Sequence, residues 1–172
     1  MSLQSSDFEI FELLPSFELD RAALDTRWKT LQREAHPDRF ATANALAQRQ
    51  AMQWSVRINE AYQRLKDPLK RAAYLCELNG ARIDAENNTA MPATFLMQQM
   101  QWREELDEAQ SAADLERMAE EVAAARSDLL KQLRTTADDR RDYVALAQQV
   151  RALMFVERFA RDVEARLDQL EQ

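Results

Sequence analysis

The tripeptide His36-Pro37-Asp38 sets the only histidine of the chain beside a carboxylate, with a proline between them. Proline fixes φ and has no N–H to offer a helix, so the tripeptide is expected to form a rigid turn that holds an imidazole and a carboxylate out to solvent. A turn that is already rigid loses little entropy on docking. Upstream, Lys29 and Arg33 stand four apart as a compact positive patch able to steer an acidic partner, and Asp38 can accept a charge-assisted hydrogen bond from a partner arginine. This is recognition chemistry. Bond-making chemistry has poorer material: Glu104, Glu105 and Glu108 could serve as acid and base, but no nucleophile, oxyanion site or metal set accompanies them. A lone histidine excludes multi-histidine metal centres and the Glu-x-x-His pairs of di-iron bundles. Cys76 has no second cysteine to pair with and no basic neighbour to activate it, and the single glycine cannot build a phosphate-cradling loop. No metal, no cofactor and no enzymatic activity are expected.

The elements that carry these residues read as helices throughout. Of 172 residues, 46% are hydrophobic and 31% charged, too apolar for a disordered polymer and enough for one domain or two small ones. Each of the four prolines falls between apolar-periodic stretches. A short first helix is expected over Asp7 to Leu14. A second begins near Asp20, whose carboxylate is a good N-cap, and carries Leu24, Trp28, Leu31 and Ala35 on one face until Pro37 stops it. After a polar loop to about Asn44, a third helix runs to roughly Lys66 with Ala51, Ser55, Ile58, Tyr62 and Leu65 on its seam, antiparallel to the second. Asp67 caps a fourth helix, Pro68 to Asn79, with Gly80 at the left-handed position that ends it.

The stretch 81–92 has no sustained period and several turn formers, which marks it as a linker. Three further helices are expected: Ala93 to Gln110, Asp114 to Arg134 and Asp138 to Leu170. In the first of these, Phe95, Trp102, Leu106 and Ala109 share the core side at about 100° per residue, while Leu96, Met100, Arg103 and Asp107 lie roughly 100° away. An apolar pair off the core stripe, flanked by Glu104 and Glu108, has the make-up of a protein-docking patch: hydrophobic anchors with a charged rim. Phe155 shows the same anomaly, roughly 200° from Leu153 on the last helix, and can extend the patch.

Charge narrows the partners. Residues 1–80 hold 11 basic and 11 acidic side chains, and residues 81–172 hold 12 and 19, so the whole net charge of -7 comes from the second half. Without a basic face to displace counterions from phosphates, proteins are the expected partners, and neither nucleic acid nor a membrane is. The sequence carries neither a recognisable secretory signal nor an apolar run of membrane-spanning length, and its lone cysteine suits a reducing compartment, so a cytoplasmic location is expected.

The series HPD, then Ile58-Asn59-Glu60-Ala61-Tyr62-Gln63-Arg64-Leu65, then Asp67-Pro68-Leu69-Lys70-Arg71-Ala72-Ala73-Tyr74 resembles the J-domain, the module with which co-chaperones stimulate ATP hydrolysis by DnaK-type chaperones. The likeness spans about the first 80 residues. It implies that the basic face of the second helix and the HPD turn dock on the chaperone, through His36, Pro37, Asp38, Lys29, Arg33, Arg27 and Arg39. One position departs from the family pattern: an aromatic residue, most often Tyr, usually precedes the His, and here it is Ala35. Trp28, on the same stripe, is expected to fill that volume.

No Gly/Phe-rich linker or CxxCxGxG repeat follows, as a general DnaJ-type co-chaperone would have. Instead HPDRF and the segment Phe95-Leu96-Met97-Gln98-Gln99-Met100-Gln101-Trp102-Arg103-Glu104-Glu105-Leu106-Asp107-Glu108 resemble the HscB family, co-chaperones of iron-sulfur cluster assembly. That resemblance implies an all-α protein, elongated or L-shaped. Its parts would be a J-domain over 1–80 (a helical hairpin plus two short helices), the linker 81–92, and a three-helix scaffold-binding bundle over 93–172. It further implies that the scaffold protein IscU docks on Leu96, Met100, Arg103, Glu104, Glu108 and Phe155 and is delivered to the chaperone HscA. The alternatives are a J-domain co-chaperone for a different client and a non-enzymatic helical adaptor.

Overall fold

The computed structural model describes residues 2–84 and 91–170; of the stretch read as a linker, 85–90 lie outside the described residues. Among the described residues there is no strand. Among the same residues seven α-helices follow one another: α1 (Asp7–Ile10), α2 (Arg21–Ala35), α3 (Ala45–Lys66), α4 (Pro68–Leu78), α5 (Ala93–Glu108), α6 (Ala112–Arg134) and α7 (Tyr143–Leu170). A 3-10 turn, Pro37–Phe40, precedes α3 and a π turn, Thr135–Arg140, follows α6. The fold class is the all-α one read from the sequence. The chain divides into two compact units, Met1–Leu75 and Cys76–Gln172.

In the N-terminal unit, helix starts are set by short polar side chains that take up otherwise unpaired N–H groups. Ser6 and Glu9 form a reciprocal capping box, and the hydrogen bonds from Ser6 hold the Glu9 carboxyl below its ordinary value. Asp20 accepts from Ala23 N–H at 3.0 Å, Asn44 from Ala47 N–H at 2.9 Å and Asp67 from Lys70 N–H at 3.0 Å. The first helix is shorter than expected. Glu12 sits at φ 58°, Leu13 N–H returns to Phe8 O at 2.9 Å and Glu12 N–H to Glu9 O at 3.1 Å, so a left-handed stop closes α1 before Leu13 and Leu14 can join it. Gly80, at φ 72°, ends α4 in the same way: its N–H reaches Glu77 O and that of Ala81 reaches Cys76 O.

The hairpin α2–α3 is antiparallel, since Asp25 meets Tyr62 near one end and Gln32 meets Ser55 nearer the other. Tyr62 Oη donates to Asp25 at 2.9 Å, and the Asp25 carboxyl lies below the usual carboxylate range, chiefly through its hydrogen bond from Arg21. Phe8, Ile10, Leu24, Leu31, Ile58 and Leu65 form the heart of the unit. Each such side chain contributes roughly 1.5–3 kcal/mol by leaving water. Asp7, wholly buried among them, is paired with Arg57 at 2.7 Å and Arg64 at 3.1 Å.

The C-terminal unit packs α5 on α6 and α7 around Trp102, Leu115, Met118, Val122, Phe159 and Val163. Arg126 on α6 donates through two nitrogens to Glu157 on α7 at 3.0 and 2.9 Å. The last helix starts later than expected. The chain widens into the π turn after Arg134, turns at Arg141 (φ 52°), and only then offers Asp142 as the cap that accepts Ala145 N–H at 3.0 Å. Asp138 therefore lies within the π turn and not at the start of α7.

Candidate docking surfaces

Helix α2 ends where Pro37 forces His36 into extended backbone, φ -63° and ψ 129°. From there His36 caps the 3-10 turn, its Nδ1 accepting the Asp38 N–H at 3.3 Å. In the neutral ring an accepting Nδ1 leaves the proton on Nε2, so the outward nitrogen is a donor. Asp38 sets its carboxylate beside that ring, Oδ2 3.5 Å from Nδ1, with side chains 55% and 91% exposed for His36 and Asp38. A donor and an acceptor thus project side by side from a turn whose backbone is closed by Arg39 N–H on His36 O at 3.0 Å.

Lys29 and Arg33 are exposed on α2, and Arg39 is exposed on the 3-10 turn. Arg27 has different surroundings. At about 100° per residue it lies some 160° around the helix from Lys29 and some 120° from Arg33. Its guanidinium donates to Glu12 at 2.6 Å, which ties α2 to the left-handed stop after α1. The family resemblance grouped Arg27 with the other cations; its angular position was the signal that it points elsewhere.

Trp28 does not occupy the volume beside Ala35. It stacks on Tyr62, ring centres 4.6 Å apart and planes at 18°, because the α3 seam supplies an aromatic partner directly opposite. A groove of about 570 Å³ stays open beside Ala35, between Leu31, Phe40, Ala51 and Trp54.

On α5 the expected division of faces is present. Trp102 and Ala109 are buried, with Phe95 and Leu106 packed against them, while Leu96 is 41% and Met100 73% exposed. Met97, absent from the expected set, is 69% exposed and sits between them; its place on the same outward arc was the available signal. Phe155 is half-buried, edge-on to Phe95 at 5.7 Å and stacked with Trp102 and Phe159 at 6.4 and 6.0 Å. The Arg103 guanidinium lies over its ring at 5.7 Å, so Arg103 and Phe155 meet although 52 positions separate them in sequence. Glu104 and Glu108 are exposed, and Glu105 accepts a hydrogen bond from Gln101 at 2.8 Å. Among the described residues no group of three or more His, Cys, Asp or Glu could hold a metal ion, and no helix is long and apolar enough to cross a membrane.

Residues 91–164 match the family model described as the HSCB C-terminal oligomerisation domain. A co-chaperone protein HscB homolog of Burkholderia multivorans is 47% identical over 174 residues, covering 99% of each chain. Its counterpart in Bordetella petrii is 48% identical over 159 residues, covering 92% of this chain and 94% of that one. Among solved structures, the chaperone HscB from Vibrio cholerae matches with a TM-score of 0.83 at 38% identity, over 96% of this chain and 99% of that one. Human co-chaperone protein HscB matches with a TM-score of 0.89 at 25% identity, over 96% and 83%. Sequence likeness along nearly the full length and agreement of fold lead to one conclusion: this chain belongs to the HscB family of co-chaperones.

Proposed function

We propose that the chain stimulates ATP hydrolysis by the DnaK-type chaperone HscA and delivers the iron-sulfur scaffold protein IscU to it, acting through two docking surfaces and performing no chemistry of its own. The observation that carries this reading is the His36–Asp38 turn, which offers an imidazole N–H and a carboxylate together from a closed backbone. A partner that engages both gains two directional contacts without ordering a loop. Lys29, Arg33 and Arg39 add charge that attracts an acidic chaperone surface, and Arg27 contributes by holding α2 against Glu12. The client side is Leu96, Met100, Arg103, Glu104, Glu108 and Phe155, joined by Met97: an apolar centre with a charged rim. Two sites on one chain turn the second encounter into an intramolecular one. The setting that fits these partners is the cytoplasm. The description of the matching family model also attributes oligomerisation to the C-terminal region, without naming a surface for it.

The test is the HscA ATPase rate measured against concentration of this protein, with and without IscU, for the wild type and His36→Gln. The wild type raises the rate and IscU raises it further, whereas His36→Gln does neither. Equal stimulation by both proteins refutes the reading.

A further inference from the structure

The groove beside Ala35 follows from helix spacing and small side chains. Leu31 and Ala35, one turn apart on α2, line it together with Ala47, Ala51, Trp54 and Ile58, which share one face of α3. Leu31 and Ile58 are buried, whereas Trp54 is half-buried, as is Phe40 at the end of the 3-10 turn. The three alanines offer only methyl groups, so the space between the helices is not filled from within. Its volume, about 570 Å³, falls within the ~300–1,000 Å³ of clefts that hold ligands.

Among the described residues that line the groove, Glu34 alone is charged. It is exposed, and it lies about 100° around α2 from Arg33 and about 140° from Lys29, away from the cations of that helix. The groove also runs into the HPD turn: Ala35 precedes His36, Phe40 closes the 3-10 turn, and both line the groove. Four residues at about 2.0 Å each make that turn ~8 Å long, a distance that an extended segment spans with two or three residues at ~3.3 Å each.

We propose that this groove receives one aromatic side chain of the chaperone that docks on the HPD turn, with a Lys or Arg of the same chaperone segment over Glu34. The inference rests on the chaperone reading of the turn given above and adds to it the chemistry by which one chaperone is chosen over another. Phe40 and Trp54 favour a further ring, in stacked or edge-on contact. A short aliphatic side chain would leave part of the volume without contacts, and an acidic one would lose its water beside the Glu34 carboxylate. Glu34 on the rim and Asp38 on the turn, 91% exposed, both attract a base.

The two sides of α2 thus have different tasks. Lys29 and Arg33 steer the encounter with an acidic surface, while the groove holds one ring out of water once the turn is engaged. A ring seated in a preformed cleft at the centre of a contact is where an interface concentrates its affinity. A chaperone that presents the ring two or three residues from the group on the HPD turn binds tightly; one without it meets the turn alone.

Two measurements on the full chain with full-length HscA and ATP test this. Ala35→Tyr and Ala47→Phe fill the groove from α2 and from α3, and each should raise the concentration of this protein that half-saturates ATPase stimulation about tenfold, with melting curves checking that each variant is folded. Glu34→Lys should raise it about threefold, an effect that fades at high salt. In the wild type carrying methyl-labelled alanine, the Ala35, Ala47 and Ala51 resonances should shift together through the ring current of the inserted side chain when unlabelled HscA is added. Unchanged half-saturation for both folded groove variants, or alanine methyls that stay in place in the complex, overturns the inference; if His36→Gln still abolishes stimulation, the chaperone reading stands. Tighter binding by Glu34→Lys overturns the base over Glu34. Stimulation by His36→Gln equal to the wild type refutes the chaperone reading and this inference with it.

Discussion

Gln32 and Ser55 exchange two hydrogen bonds across the α2–α3 hairpin: Ser55 Oγ donates to Gln32 Oε1 at 2.9 Å, and Gln32 Nε2 donates to the Ser55 carbonyl at 3.1 Å. The clasp lies one turn of helix before His36 and is partly buried. Ser55→Ala leaves the Gln32 carbonyl without its donor and should cost about 1 kcal/mol, read as a lower urea midpoint at unchanged m-value. An unaltered midpoint would show that water replaces the serine hydroxyl at no cost.

Asp7 is a wholly buried charge of the N-terminal unit, and its pairing with Arg57 and Arg64 links α1 to α3. Asp7→Ala removes the anion and leaves two guanidiniums facing each other. Since Arg57 and Arg64 are 19% and 41% exposed and can turn towards water, the loss should fall near the lower end for a broken buried pair, about 3 kcal/mol. Thermal unfolding followed by circular dichroism is the check, with the 222 nm transition expected to move down by many degrees.

The groove beside Ala35 is unfilled volume next to the HPD turn. Ala35→Tyr should place a ring between Leu31, Phe40 and Trp54 and stabilise the N-terminal unit by about 1 kcal/mol, or roughly 4–8 °C in a unit of this size. A fall in melting temperature would mean that the groove closes only by straining Phe40 or Trp54.

Burial pushes the Cys76 thiol up to about 11, against a smaller opposing pull from Arg151. The unfolded thiol ionises near 9.0. The folded state therefore holds a proton that the unfolded state gives up, and the contribution to stability is complete below pH 9 and is lost as pH climbs towards 11. Two results should follow. The native thiol reacts with Ellman's reagent at pH 8 far more slowly than the urea-unfolded one, and Cys76→Ala flattens the decline of stability between pH 9 and 11.

Leu96 and Phe155 stand in the same proposed client surface on different footings. Leu96 is 41% exposed, so Leu96→Ser should weaken IscU binding about tenfold with the melting temperature within 1–2 °C of the wild type. Phe155 belongs to a four-ring cluster, and Phe155→Ser should also destabilise the C-terminal unit by about 2–3 kcal/mol. Calorimetric titration paired with melting curves separates the two; equal melting losses would contradict the difference in packing.

Much of the fold was legible because helix ends are local events. Asp20, Asp67 and Gly80 do in the structure what their residue types and neighbours imply. The two ends misplaced by the most residues have a common origin. At Glu12 and at Arg141 a residue other than glycine takes the left-handed conformation, which residue type does not announce. Glu12 is held there by a bond to Arg27, fifteen positions away.

By itself the sequence determined seven helices, the inward seam of α5, and an HPD turn presenting an imidazole and a carboxylate, because spacing, capping and proline stereochemistry act within a few residues. Tertiary packing decided the rest: that Arg27 faces Glu12, that Trp28 spends its ring on Tyr62 and leaves Ala35 beside a groove, and that Arg103 covers Phe155. Those pairings depend on which helix faces lie within a few ångströms of each other. Such distances are fixed only when whole helices exclude water together.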